Sequence, residues 1–130
     1  MPKSIHIETE LQGLMPLDGR SEETTEAEVS AAFATLSDYD KGGVFAGSFS
    51  GQSEWERHSN GDELVHVLAG ETTLTILTDT NEEMLTLKAG MLTVVPRSCW
   101  HRFKSEAGVT LLTVTPQPTD HSKAEDPRLD

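Results

Sequence analysis

The stretch Trp55-Glu56-Arg57-His58-Ser59-Asn60-Gly61-Asp62-Glu63-Leu64-Val65-His66-Val67-Leu68-Ala69-Gly70 decides the fold. Two strand-like runs flank Asn60-Gly61, the pair that best tolerates the two positive φ angles of a type I′ hairpin turn. Counting outward from that turn, Ser59 is expected opposite Asp62, His58 opposite Glu63 and Glu56 opposite Val65. Opposed residues share a face with Cβ atoms about 5 Å apart, and the period of two puts Glu56 beside His58. Hairpin geometry therefore predicts that Glu56, His58 and Glu63 converge on one patch. Imidazole nitrogen and carboxylate oxygen suit Fe, Mn, Ni, Zn and similar divalent ions, which bind at about 2.0–2.2 Å and usually take a further ligand. His101 is the candidate for it, because Pro96-Arg97-Ser98 reads as a turn that delivers His101 into the next strand.

Outward from this segment, the chain from Val44 reads as eight short strands separated by turn signals: Val44–Ser50, Ser53–His58, Glu63–Leu68, Thr72–Thr78, Met84–Leu87, Met91–Val95, His101–Lys104 and Val109–Thr115. Such even spacing argues an antiparallel sandwich or barrel rather than a parallel sheet with crossover helices. Upstream, Val29, Ala32, Phe33 and Leu36 form a helical stripe behind the capping-box pair Thr25 and Glu28, which predicts one helix over 26–37. Before it, the alternating run Ser4–Glu8 reads as an arm or edge strand, and the charged stretch after Thr115 as a frayed tail. The expected organisation is one structural domain: arm and helix over 1–43, barrel over 44–116 and tail over 117–130.

These residues resemble the two motifs of the cupin superfamily. In the first, His58, four intervening residues, Glu63, six more and Gly70 match the second metal histidine, the glutamate and the closing glycine of the pattern. In the second, Gly90, Pro96 and His101 sit at the motif spacings. Glu56 stands where the first metal histidine would be, Ser98 where a glycine is usual, and Ser105 where an asparagine is usual. The resemblance implies an all-β, cupin-like antiparallel β-barrel (jelly roll) with an N-terminal arm and one packed helix. It also implies one divalent transition metal on His58, Glu63, His101 and Glu56, the last either coordinating or serving as an acceptor that orients His58. Phe103 shares parity with His101 and is expected to line the pocket, while Trp55 and Trp100, of opposite parity, are expected on the outer face. Strict alternation turns His66 away from the site, and Cys99 reads as a small hydrophobe. His6 and His121, near the termini, carry no signal.

The function expected is a small-molecule metalloenzyme of oxygenase or isomerase type. The alternative is a non-catalytic cupin module that binds or senses a small ligand, because this fold hosts many chemistries. The sequence holds 22 Asp and Glu against 10 Lys and Arg, a net charge of −12 with no basic cluster. Nucleic acid and anionic membranes are therefore poor partners. No apolar run reaches the roughly 20 residues that span a bilayer, and the first ten residues lack an apolar signal core, so a cytoplasmic location is expected. The single Cys99 excludes an internal disulfide and any multi-cysteine zinc site. A homodimer is expected, joined through the arm or the outer sheet.

Overall fold

The computed structural model describes residues 2–129. Its elements are α1 (Ile7–Gln12), β1 (Leu17–Arg20), α2 (Glu26–Ala32), β2 (Phe33–Tyr39), β3 (Gly42–Gln52), β4 (Trp55–His58), β5 (Glu63–Leu77), β6 (Glu82–Lys88), β7 (Leu92–Val95), β8 (His101–Pro116), β9 (Thr119–Ser122) and a 3₁₀ turn, Pro127–Leu129. All nine strands join one sheet whose centre is the antiparallel series β3, β8 and β5. Strand β1 runs parallel to β3, β2 lies antiparallel on β3, β6 and β7 flank β5, and β4 sits between β8 and β9. The expected all-β cupin-like barrel is what the chain forms.

A sharp corner turns this sheet into a barrel. Along β5 and β8, Leu64 faces Val114 and Ile76 faces His101. The thirteen residue steps from Glu63 to Ile76 would span about 43 Å if straight. Glu63 nevertheless lies 3.1 Å from His101, so the ladder doubles back on itself. It folds where register shifts bracket Gly70, at φ +75°, opposite the turn containing Gly108, at φ +110°. A Cβ on Gly70 would sit 2.2 Å from the Gly108 carbonyl oxygen, so only glycine lets the two backbones cross this closely.

Inside the curl, alternating residues of the long strands meet: Phe49, Val65, Val67, Leu74, Ile76, Val95, Phe103, Val109 and Leu111 form one core. The opposite parity of the same strands leaves Leu92 58% and Val94 48% exposed on the outer face. No helix among the described residues is long and apolar enough to cross a membrane.

Several expectations need correction. The expected pairs Glu63–Leu68 with Thr72–Thr78, and His101–Lys104 with Val109–Thr115, are single long strands, β5 and β8, bent rather than broken. The helix starts as expected, with Thr25 and Glu28 exchanging both capping-box bonds, but it stops at Ala32 rather than at residue 37. Phe33 is already extended, and Phe33 to Tyr39 pair with β3; ladder bonds along an open edge outweigh a weak helical preference. Leu36 reaches the core from that strand. In the arm, the run from Ser4 to Glu8 is no strand: His6 caps α1, accepting at its Nδ1 from the Thr9 amide, and the edge strand is β1 instead. The tail is ordered, because β9 finds an open edge on β4.

Candidate metal centre

The hairpin register read from Asn60-Gly61 does not form. Neither residue takes the positive φ a type I′ turn needs, and β4 pairs with β8 and β9, not with β5. Asn60 donates instead to the Gln117 carbonyl, and Asp62 accepts from the Arg97 amide. His58 and Glu63 still meet, across the barrel interior rather than across a ladder.

His58 ends β4, Glu63 begins β5 and His101 begins β8; all three are buried. Their ligand atoms lie within 4.8 Å of one another. Nε2 of His58 is 3.3 Å from Glu63 Oε2, and Nε2 of His101 is 3.1 Å from Glu63 Oε1. Each side chain is held from behind. His101 Nδ1 is 3.0 Å from the Cys99 carbonyl, which can only accept, so Nδ1 carries the proton and Nε2 presents a lone pair. Thr119 spends its hydroxyl proton on Gln117 Oε1, so its oxygen accepts from His58 Nδ1 at 3.1 Å, with the same result. Thr115 donates to Glu63 Oε2 at 2.6 Å. The Phe103 ring stands edge-on to the His101 ring at 6.0 Å.

With both imidazoles neutral, lone pairs point at lone pairs. His58 Nε2, His101 Nε2 and Glu63 Oε1 are sealed from solvent without a hydrogen-bond partner. Such atoms are costly unless a proton or a cation joins them. The charge balance fits either. Burial alone would raise the Glu63 carboxyl, but a proton taken up on the facing Nε2 of His101 or His58 would bond to it, and that interaction outweighs burial and brings it down to about 2. Burial would lower His101, and Glu63 outweighs that and raises it. A divalent ion with bonds near 2.1 Å would hold adjacent donor atoms roughly 3.0–3.4 Å apart, and the two histidine-to-carboxylate separations of 3.3 and 3.1 Å fall in that range. The donor set therefore fits a divalent transition metal.

Glu56 lies outside this group of three. It is on the same side of β4 as His58 and faces the same cavity, but its carboxylate looks toward His121 Nε2 at 3.8 Å. The cavity, about 460 Å³, is also lined by Arg20, Glu54, Phe33, Phe45, Phe103, Thr113 and Thr115. His66 faces away, opposite Leu92 and Leu112. Trp55 and Trp100 lie under the guanidinium groups of Arg102 and Arg57. Cys99 contributes its carbonyl, while burial, then Asp79 and Asp62, push its thiol upward, away from a thiolate role. Sequence reasoning missed Thr115, Thr119, His121 and Arg20. Only Thr113 and Thr115 left a signal, as polar residues at inward positions of an apolar strand.

Residues 48–115, just over half of the chain, match the cupin domain family, and the chain belongs to it. No curated protein matches the chain. Among solved structures it is similar to a cupin-2 domain containing protein from Shewanella frigidimarina, at 21% identity, covering 65% of this chain and 79% of that one with a TM-score of 0.53. A protein of Neisseria meningitidis aligns over 92% of this chain and 100% of its own at 18% identity and TM-score 0.59. Hydroquinone 1,2-dioxygenase from Sphingomonas sp. TTNP3, with 4-hydroxybenzoate bound, aligns over 66% of this chain and 65% of its own at 14% identity and TM-score 0.57.

Proposed function

We propose that this cupin is a metal-dependent enzyme of oxygenase or isomerase type acting on a small molecule, with one divalent transition metal (Fe, Mn, Ni or Zn) held by His58, Glu63 and His101. The observation that carries this reading is the trio of sealed, unpartnered ligand atoms facing one another in the barrel. The bound ion would polarise a substrate oxygen at an open coordination position. Glu63 supplies the charge, Cys99 and Thr119 fix which imidazole nitrogen is available, and Phe103 packs edge-on against the His101 ring. Glu56, held near His121, stands at the same cavity as a proton acceptor for the bound molecule. The dioxygenase with a small aromatic molecule bound supports a small-molecule ligand for this fold. The reading also includes a homodimer closed over the outer face around Leu92 and Val94.

Purified protein should carry close to one transition-metal equivalent per chain by elemental analysis. His58→Ala and His101→Ala should lose most of it while far-UV circular dichroism persists, and Glu56→Ala should weaken binding less. Full metal retention in both histidine variants overturns the assignment. Dioxygen uptake by the iron-loaded protein then distinguishes an oxygenase from an isomerase, which should turn over under nitrogen.

A further inference from the structure

Arg20 ends β1, and its side chain lines the cavity while only 8% of the residue is exposed. Its guanidinium lies over the Phe49 ring, 4.9 Å from the centroid. Among the described residues none forms an ion pair or a hydrogen bond with that guanidinium. Arginine brings five donors and stays charged in proteins, so burying it with no acceptor is costly. Its nitrogens are not among the sealed polar atoms, so they open on the cavity. Glu56 and Glu54 exert a favourable field on it without taking its donors. The result is a fixed cation, backed by an aromatic ring, whose hydrogen-bonding capacity is unspent.

We propose that Arg20 binds the carboxylate of a small organic acid whose apolar body lies in the same cavity. The planar fork of a guanidinium matches a carboxylate with two parallel hydrogen bonds. Val29, Phe33, Phe45, Phe103 and Leu111 supply an apolar wall for the rest of the molecule. Glu26, Glu54 and Glu56 also face the cavity, so a singly charged carboxylate fits better than a phosphate dianion. A volume of about 460 Å³ suits a ligand of this size. The inference rests on the metal-centre reading only for what meets the far end of the acid, since the anchor itself needs no ion.

The test is calorimetric titration of the full chain with phenylacetate, and with phenylacetamide as the uncharged isostere. Phenylacetate should bind saturably and about tenfold or more tightly than the amide. Arg20→Gln should bring the acid down to the affinity of the amide with metal content unchanged, and Arg20→Lys, which keeps the charge but loses the fork, should fall between. The comparison of acid with amide on the unmodified protein needs no variant to fold. Equal affinities for acid and amide, an Arg20→Gln protein that binds phenylacetate as before, or no saturable binding at about 10 mM would each overturn the proposal. The acid preference should survive in the unmodified protein stripped of metal by a chelator, so a failure of the metal assignment and a failure of the Arg20 anchor read out separately.

Discussion

Replacing His101 by alanine in metal-stripped protein should cost about 3–5 kcal/mol, and much of that cost should vanish when Glu63 is glutamine in the same chain. Glu63 is fully buried, and its carboxyl is brought from 4.5 to about 2 against a burial penalty that acts the other way. A displacement of that size corresponds to about 3 kcal/mol at neutral pH, shared between the two imidazoles. Removing His101 deletes the larger share and leaves a buried carboxylate facing the space the ring had filled. Glu63→Gln removes the charge that made the loss expensive, while its amide oxygen still accepts from Thr115. For a chain of this length each kcal/mol moves the melting temperature by roughly 3–5 °C, so the single variant should melt on the order of 10–20 °C lower. The assay is differential scanning calorimetry near pH 6 with chelator, on both single variants and the double. Costs that simply add, to within about 0.5 kcal/mol, would refute the coupling and with it the description of the three residues as one electrostatic unit.

Stability should depend on pH in opposite ways with and without metal. Glu63, held low, contributes above its unfolded value of 4.5 and loses that contribution as pH falls toward about 2. His101, held high, contributes below its unfolded value of 6.5 and loses it as pH rises through its raised folded value. Metal-free protein should therefore be most stable between those two values, whereas the gain from added zinc should grow from about pH 6 to about pH 8 as protons cease to compete; thermal melts showing a shrinking gain would contradict this. Ser98 holds φ 66° where the cupin motif has glycine, so Ser98→Gly should raise stability by about 1 kcal/mol, visible as a melting shift of a few degrees. Light scattering should give twice the monomer mass, and Leu92→Glu with Val94→Glu should halve it; a monomeric parent protein at micromolar concentration rejects the pairing.

The barrel was legible because its long strands alternate cleanly, Glu63 to Val67 and Val109 to Thr115 each placing every second residue inside. His58, Glu63 and His101 were legible for a different reason: their spacing around Gly70 and Pro96 matches a family pattern. The hairpin argument joined His58 to Glu63 by a wrong path and added Glu56, which lies outside the group, because turn propensity at Asn60-Gly61 yields to β9 taking the place beside β4. Residues 33–36 satisfy a helical stripe and a half-buried strand equally well, and only the presence of β3 alongside decides between them. Arg20 and His121 could not be read at all. Each acts through neighbours more than thirty residues away in the chain, Arg20 beside Gly51 and His121 beside Glu56.

The atoms that orient the candidate ligands come late in the chain. Thr115 lies 52 residues beyond the Glu63 it steadies, and Thr119 lies 61 beyond His58. A growing polypeptide ending before Thr119 would carry all three ligand residues yet lack a hydroxyl that selects the His58 tautomer. No local hairpin can assemble the centre alone, so it must wait for the long-range pairing of β3 and β8, in a topology expected to take milliseconds to seconds. The metal pocket should accordingly be among the last parts of the molecule to mature, and ion capture should mark the completion of folding rather than its nucleation.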